Sequence, residues 1–333
     1  MLSPRVLILA GGLSHERDVS LRSGRRVADA LRDSGCEVTV SDLDDRVLEI
    51  LGSGSIDVVW PLLHGASGED GAVRDVLEAV GIPYLGSAPA ACRLSWDKSV
   101  AKGVVHEAGL QTPSFVALPH GVFRELGAAR VLKAIIGRLG LPLVVKPARG
   151  GSALGASAVR SAEALPQAMV DCFAYGDVAL VERHVSGVEV AVSVIDTGDG
   201  PVPLPPVEIV PDSGLYDYDA RYTAGATEFF CPARLTPTAL ESVQAVALTA
   251  HRAFGLRHLS RTDLIIDATG QPWFLEVNVA PGMTETSLLP QSIEAAGMRP
   301  GPTYRRLIEK VLNDHKSTDQ NPTTQAVEAT PHS

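Results

Sequence analysis

Apolar and polar positions along residues 261–278 fall into two short runs around one turn. Leu264, Ile265 and Ile266 precede Asp267-Ala268-Thr269-Gly270, and Trp273, Phe274, Leu275 and Val277 follow it. The pattern predicts a β-hairpin centred between Thr269 and Gly270. Symmetry about that centre sets Asp263 opposite Glu276 and Arg261 opposite Asn278. All four then share one face, because strand positions two apart point the same way. Carboxylates set directly opposite each other repel. A cation between them would relieve this, and the hard oxygens of Asp, Glu and Asn suit Mg²⁺. The plainer alternative is a polar face turned to water. The Pro281-Gly282 turn that follows could present backbone N–H groups beside the same face.

Upstream, strand and helix patterns alternate. Residues 5–10 predict a buried strand broken by Gly11-Gly12, with Ser14 and Glu16 leading into a helix that ends near Gly35. A glycine break between strand and helix leaves N–H groups free for a small ligand, although Ser14 or Asp18 as a cap and Glu16 favouring the helix dipole explain the same residues. Strands at 38–40, 58–63 and 82–85 interleave with helices at 44–51 and 72–80. This predicts a parallel sheet with ligands at the carboxyl ends of its strands. His64 stands at such an end, in the loop His64-Gly65-Ala66-Ser67-Gly68-Glu69-Asp70-Gly71.

One helix is expected over 87–108 and another over 128–139. The strand 143–145 then delivers Lys146 into the loop 148–155, which holds Gly150, Gly151 and Gly155. Backbone N–H groups of such a loop can close over phosphates while the lysine neutralises them. The lysine precedes the glycines, so this is not the P-loop order. A strand at 178–181 breaks into Glu182-Arg183-His184-Val185 and resumes after Glu189, a layout that can offer an adenine edge and a ribose contact. Residues 212–227 are polar and aromatic without a period and are expected as a lid-like loop. Helices at 236–254 and 302–313 follow, and a polar tail closes the sequence.

The chain has 333 residues, enough for two or three domains. A net charge of −10 without a basic run argues against a nucleic-acid surface. No stretch is long enough to span a membrane, and residues 6–10 meet Gly-Gly too soon to be a secretory signal. Cys36, Cys92, Cys172 and Cys231 lack metal or disulfide spacing and read as thiols of a cytoplasmic protein.

Taken together, AGGLSHERDVSL at 10–21, HGASGEDG at 64–71, KPARGGSALGAS at 146–157, DYDARY at 217–222 and RTD…EVNVAPGMTETSL from Arg261 resemble the ATP-grasp superfamily, and within it the D-alanine–D-alanine ligases. The resemblance covers the chain to about Leu312. It implies an α/β (α+β overall) ATP-grasp fold behind a Rossmann-like parallel-sheet domain. The implied units are 1–95, a central subdomain at 96–185, a C-terminal subdomain at 186–314 and a disordered tail at 315–333. It also implies ATP as cosubstrate and two Mg²⁺ ions, replaceable by Mn²⁺, on Asp263, Glu276 and Asn278. The implied nucleotide contacts are Lys98, Lys146, Gly151, Ser152, Glu182, Arg183, Val185, Glu189, Arg221 and Leu275. Glu16, with His64 nearby, would meet the amine of the first D-alanine. Ser152 and Tyr222 would hold mobile loops closed. Arg261 and the Gly282 N–H would stabilise the oxyanion, and Ser287 with Leu288 would take the second carboxylate. A homodimer in peptidoglycan synthesis is the implied setting.

The sequence departs from the pattern at Arg149 and Ala153 around the phosphate-loop glycines, at Arg221 in place of a more usual lysine, and at Val279-Ala280. Arginine keeps the charge but differs in geometry. Two alternatives stay open: a ligase of specialised metabolism with another acceptor or a cyclised product, and a nucleotide-binding regulator without turnover.

Overall fold

The computed structural model describes residues 3–212, 216, 220–221, 223 and 225–319. Tyr222 therefore lies outside the described residues, as does the tail beyond 319.

Three strands, β1 (Arg5–Leu9), β2 (Glu37–Ser41) and β3 (Val58–Pro61), form a parallel sheet in the order β2-β1-β3. After Arg5, β1 is apolar because both its faces are covered. Val6 and Ile8 point into a core shared with the helices Arg17–Asp33 and Pro300–Asp319, whereas Leu7 and Leu9 join Val47, Leu51 and Leu77 on the other side. The strand expected at 82–85 is reduced to one parallel bridge, Val59 to Tyr84.

The single helix expected over 87–108 is two helices, Pro89–Trp96 and Lys98–Glu107. Asp97 between them is extended, and its Oδ1 accepts from the N–H groups of Ser99 and Val100. An aspartate cap restarts the helix there, which sets Lys98 on its first turn.

The second sheet holds β4 (Phe115–Pro119), β5 (Leu143–Pro147), β6 (Ser157–Val159) and β7 (Val178–Arg183), all antiparallel, in the order β4-β7-β5-β6. The third holds β8 (Gly187–Ile195), β10 (Val207–Pro211), β11 (Thr227–Phe230), β12 (Leu259–Asp267) and β13 (Pro272–Asn278). Its order is β11-β10-β8-β12-β13, with β9 (Val202–Pro203) beside β8. β4, β10 and β11 have no counterpart in the expected elements.

The hairpin β12–β13 pairs Asp263 with Glu276 and Arg261 with Asn278, as symmetry required. Nearer the turn, however, Leu264 pairs with Phe274 and Ile265 with Trp273. The loop is thus centred one half-position earlier, with Gly270 in the left-handed region at φ 85° and its N–H donating to the Asp267 carbonyl. A bulge that leaves Leu275 unpaired restores the register at Glu276. Two offsets cancel where the chemistry sits.

The helices Leu288–Ala295 and Pro300–Asp319 return to the first sheet, where Leu289, Ile293, Tyr304, Leu307 and Ile308 pack with Val6, Ile8 and Trp60. Residues 315–319, expected in a disordered tail, continue the last helix. No Gly or Pro interrupts that stretch, and Lys310 pairs with Asp314 one turn on.

Candidate active site

A cavity of about 550 Å³ lies between the second and third sheets. Its walls include Lys146 from β5, Glu182 from β7, Glu189 from β8, Asp263 from β12 and Glu276 from β13, with Arg149-Gly150-Gly151 above them. Arg183 and Val185, in the crossing from β7 to β8, line it as well. So do the consecutive residues Leu275 and Glu276, which regular alternation would send to opposite faces. The bulge at Leu275 is the reason both can face the cavity.

Charge in this cavity is tightly paired. Glu182 is buried, with Lys146 Nζ 2.6 Å from Oε1 and Lys102 Nζ 2.8 Å from Oε2. Burial alone would raise its pKa, but the two lysines outweigh burial and hold it below the usual range. Lys98 Nζ donates to the Gly150 carbonyl at 2.6 Å and stands 3.3 Å from Glu276 Oε2. Glu276 is drawn down to about 2, because Lys98, Lys146, Arg221 and Arg261 together overcome its burial. Glu189 goes the other way. Burial, helped by Asp263 and Glu276, pushes it up to about 7, with Arg221 opposing. Arg221 itself packs over the Tyr216 ring, 4.2 Å from its centroid.

A second cavity of about 360 Å³ adjoins the first, lined by Glu16, His64, Glu69, Ser152, Arg261, Asn278, Gly282, Ser287 and Leu288 among others. Six residues, Lys98, Gly150, Gly151, Tyr216, Arg221 and Glu276, line both cavities. Ser152 Oγ donates to the Glu16 carboxylate, which ties the glycine loop to the first loop of the chain. Ser152 and Ala153 hold φ of 54° and 55°, a region L-residues seldom enter and which clusters at functional sites. His64 is buried and its pKa is lowered by burial, so the ring is neutral at pH 7. Gly282 sits close to Ser287: a Cβ there would lie 2.7 Å from Ser287 Oγ. Ser287 precedes the helix Leu288–Ala295, and its Oγ accepts the Thr284 N–H at 2.9 Å.

Asp263, Glu276 and Asn278 fit a divalent cation in donor chemistry, all hard oxygens, with Asp263 lining the first cavity, Asn278 the second and Glu276 both. Asp263 meanwhile spends both oxygens on Arg261, at 2.7 and 2.8 Å, and Asn278 Oδ1 accepts the Ala280 N–H. Among the described residues no three His, Cys, Asp or Glu side chains converge as a metal cage.

All the expected site residues that the structure describes lie on these two adjoining cavities. Two further charged groups join them. Glu69 lines the second cavity and is pushed up to about 8 by burial and by Glu16, against the Gly65 N–H that donates to it at 3.0 Å. Its only signal in the sequence was its place in the glycine-rich loop after His64. Lys102 is fully buried behind Glu182. Its spacing of four from Lys98, one helical turn along the same face, was the available signal.

Residues 104–313 match the family described as D-ala D-ala ligase C-terminus, and residues 48–87 match the D-ala D-ala ligase N-terminus. A D-alanine–D-alanine ligase of Anaeromyxobacter dehalogenans is 40% identical over 309 residues, covering 93% of this chain and 96% of the relative. One of Bordetella petrii is 39% identical over 310 residues, covering 93% and 91%. Among solved structures, a D-alanine–D-alanine ligase of Bacillus anthracis superposes with TM-score 0.79 at 29% identity, over 95% of this chain and 99% of that one. The VanG D-Ala:D-Ser ligase of Enterococcus faecalis superposes with TM-score 0.80 at 26% identity, over 93% and 100%.

Proposed function

The chain belongs to the D-alanine–D-alanine ligase family, and from that premise we propose that it is an ATP-dependent ligase joining two D-alanines into D-alanyl-D-alanine for peptidoglycan precursors. The fold is ATP-grasp. The observation that carries the reading is the shared wall. A nucleotide phosphate in the larger cavity would lie against a carboxylate in the smaller one across Lys98, Gly150, Gly151 and Glu276, as phosphoryl transfer between them needs.

In this mechanism Lys98, Lys146 and the N–H groups of the glycine loop hold the ATP phosphates and offset their charge. The carboxylate of the first D-alanine, its ammonium held by Glu16, attacks the γ-phosphorus in line. ADP departs and an acyl phosphate remains. The second D-alanine, its amine deprotonated, attacks the acyl carbon. Arg261 and the Gly282 N–H meet the oxyanion, and collapse expels phosphate to leave the peptide bond. Ser287 and the backbone at Leu288 hold the second carboxylate. Mg²⁺ at Asp263, Glu276 and Asn278, or Mn²⁺ in its place, would neutralise the β- and γ-phosphates. The strained turn at Ser152, fastened to Glu16, keeps the loop over both substrates and water out, which protects the acyl phosphate.

We read the working enzyme as a cytoplasmic homodimer divided near residues 95 and 185. Among the described residues no helix is long and apolar enough to cross a membrane.

The acceptor is where variation is expected, since the fold superposes on a D-Ala:D-Ser ligase and a D-Ala ligase about equally well. The deciding experiment measures phosphate release from Mg-ATP with D-alanine, L-alanine, D-serine and a panel of D-amino acids, with mass spectrometry of products. D-alanine-dependent release with a D-Ala–D-Ala mass is expected. Release only with another acceptor would overturn the product assignment, and nucleotide binding without release under any condition would overturn the enzyme reading.

A further inference from the structure

The backbone N–H groups of the turn that follows β13 are almost all taken. The Ala280 N–H donates to Asn278 Oδ1 at 2.8 Å, and the Thr284 N–H donates to Ser287 Oγ at 2.9 Å. The Met283 N–H reaches across 260 positions of sequence and donates to Ser23 Oγ at 3.1 Å. Residue 281 is a proline and has no N–H. Among the described residues the Gly282 N–H finds no acceptor, and it lines the second cavity. The turn therefore holds its neighbours fast and leaves one donor free toward the substrates.

Ser23 is the distant member of this arrangement, and the mechanism above gives it no role. It is fully buried on the helix Arg17–Asp33. A buried helix serine often returns its proton to a carbonyl of the preceding turn. Ser23 has no such bond among the described residues; its Oγ lies 3.5 Å from His64 Nε2 instead. The Ala280 backbone hydrogen-bonds the His64 ring and favours its protonation, as an accepting carbonyl does. His64 and Ser23 thus hold the turn near both its ends. The helix that carries Ser23 is itself firmly seated. Three residues earlier, Ser20 Oγ accepts the Gly11 N–H at 2.8 Å and donates to the Leu62 carbonyl at 2.6 Å, which ties the helix to the ends of β1 and β3. Beside Ser23, Gly24 leaves no room for a side chain, because a Cβ there would lie 2.5 Å from Ala10 Cβ. The Met283 side chain adds an anchor of its own in the core of the first sheet, where Tyr304 OH donates to its Sγ at 3.8 Å.

Building on the ligase reading, we propose that Ser23 is a positioning residue for the second half of the reaction: by holding the Met283 N–H it fixes the turn 280–283 so that the Gly282 N–H meets the oxyanion formed when the amine attacks the acyl phosphate. A preorganised donor counts only in place. Deleting one costs about 10²–10³ in rate, and displacing a reacting group by about 1 Å can cost about 10². Loosening a turn that keeps its other anchors should cost less, about tenfold. Phosphoryl transfer to the first D-alanine develops its charge on the γ-phosphate and does not call on this donor.

The test is a quenched-flow single turnover of the intact chain with Mg-ATP and saturating D-alanine. ADP, the acyl phosphate trapped as its hydroxamate, and the dipeptide are followed together. The lag of dipeptide behind ADP is insensitive to the fraction of protein folded. In Ser23→Ala, ADP should form within about twofold of the wild-type rate with KM for ATP unchanged, while the lag lengthens about tenfold and the hydroxamate yield rises. Ser23→Cys keeps the volume but offers sulfur, a weak acceptor, so its lag should lengthen by about threefold or more. A wild-type lag in Ser23→Cys beside a long one in Ser23→Ala would make Ser23 a space-filling residue and overturn the proposal. Slowing of ADP and dipeptide alike, or no change in either, would overturn it as well. If Ser23→Ala does not fold, Ser23→Cys decides by the same readings. Wild type that forms no dipeptide would instead overturn the ligase reading on which the proposal rests.

Discussion

Glu276 and Glu69 line the same cleft and burial works to raise both, yet Glu276 is drawn down to about 2 while Glu69 is pushed up to about 8. The difference lies in company. Glu276 sits among Lys98, Lys146, Arg221 and Arg261, whereas Glu69 faces the carboxylate of Glu16 with Lys98 as its main counter-charge. At neutral pH the hairpin end of the cleft therefore presents a fixed anion and the first-loop end a protonated carboxyl. Burial does not assign a charge state here; the neighbouring side chains do.

The sharpest way to break the contrast is Glu276→Gln. It removes the ionised partner of four cations and a metal-donor oxygen together. Turnover at limiting Mg²⁺ is expected to fall by about 10²–10³, and turnover within a few-fold of wild type across an Mg²⁺ titration would remove Glu276 from the metal site. Next is Ser152→Ala, which deletes the contact that fastens the glycine loop to Glu16. The lost charge-assisted hydrogen bond should raise KM for D-alanine roughly tenfold, and unchanged steady-state constants would unfasten the loop from the mechanism. Smallest at pH 7 is Glu69→Gln, because the amide imitates a carboxyl that is already protonated. Its signature is the pH dependence of stability. A carboxyl whose folded pKa is raised above 4.5 contributes stability that is lost as pH rises toward about 8. Urea titrations should show wild type losing stability relative to Glu69→Gln between those limits and running parallel above them. A constant gap across the range would mean that Glu69 is ionised throughout.

The same contrast divides what could be read from the sequence. The hairpin was legible because its signal is local, with apolar residues of period two around a turn. Even there the agreement was partly fortunate, since a three-residue loop and the bulge at Leu275 shift the pairing in opposite senses. The bulge itself leaves no mark in an alternation pattern, and it is what lets Leu275 and Glu276 share a wall. The break at Asp97 was missed because apolar periodicity continues across it; only the Asp97-Lys98-Ser99 cap betrays it. Glu69 and Lys102 were harder still. Their states depend on partners distant in sequence, Glu182 lying 80 positions beyond Lys102. β4 and β11 are only partly buried strands without clean alternation, and β10, buried over Val207–Ile209, is short and bounded by prolines, so neither kind leaves a clear pattern.

The packing of residues 289–311 against β1 has a consequence for how the molecule is made. Val6 and Ile8 leave the ribosome nearly 300 residues ahead of the side chains that cover them, from Leu289 to Val311. The first sheet can cover its Leu7 and Leu9 face at once with the helices Arg46–Gly52 and Ala72–Val80. Its opposite face gains the helix Arg17–Asp33 early, but the cluster on that face is closed only once residues 289–311 have been made. Such a contact carries a long loop-closure cost and leaves apolar surface open in the nascent chain. The two central sheets, built from contiguous sequence, can mature while the opening strand still waits for its last partners.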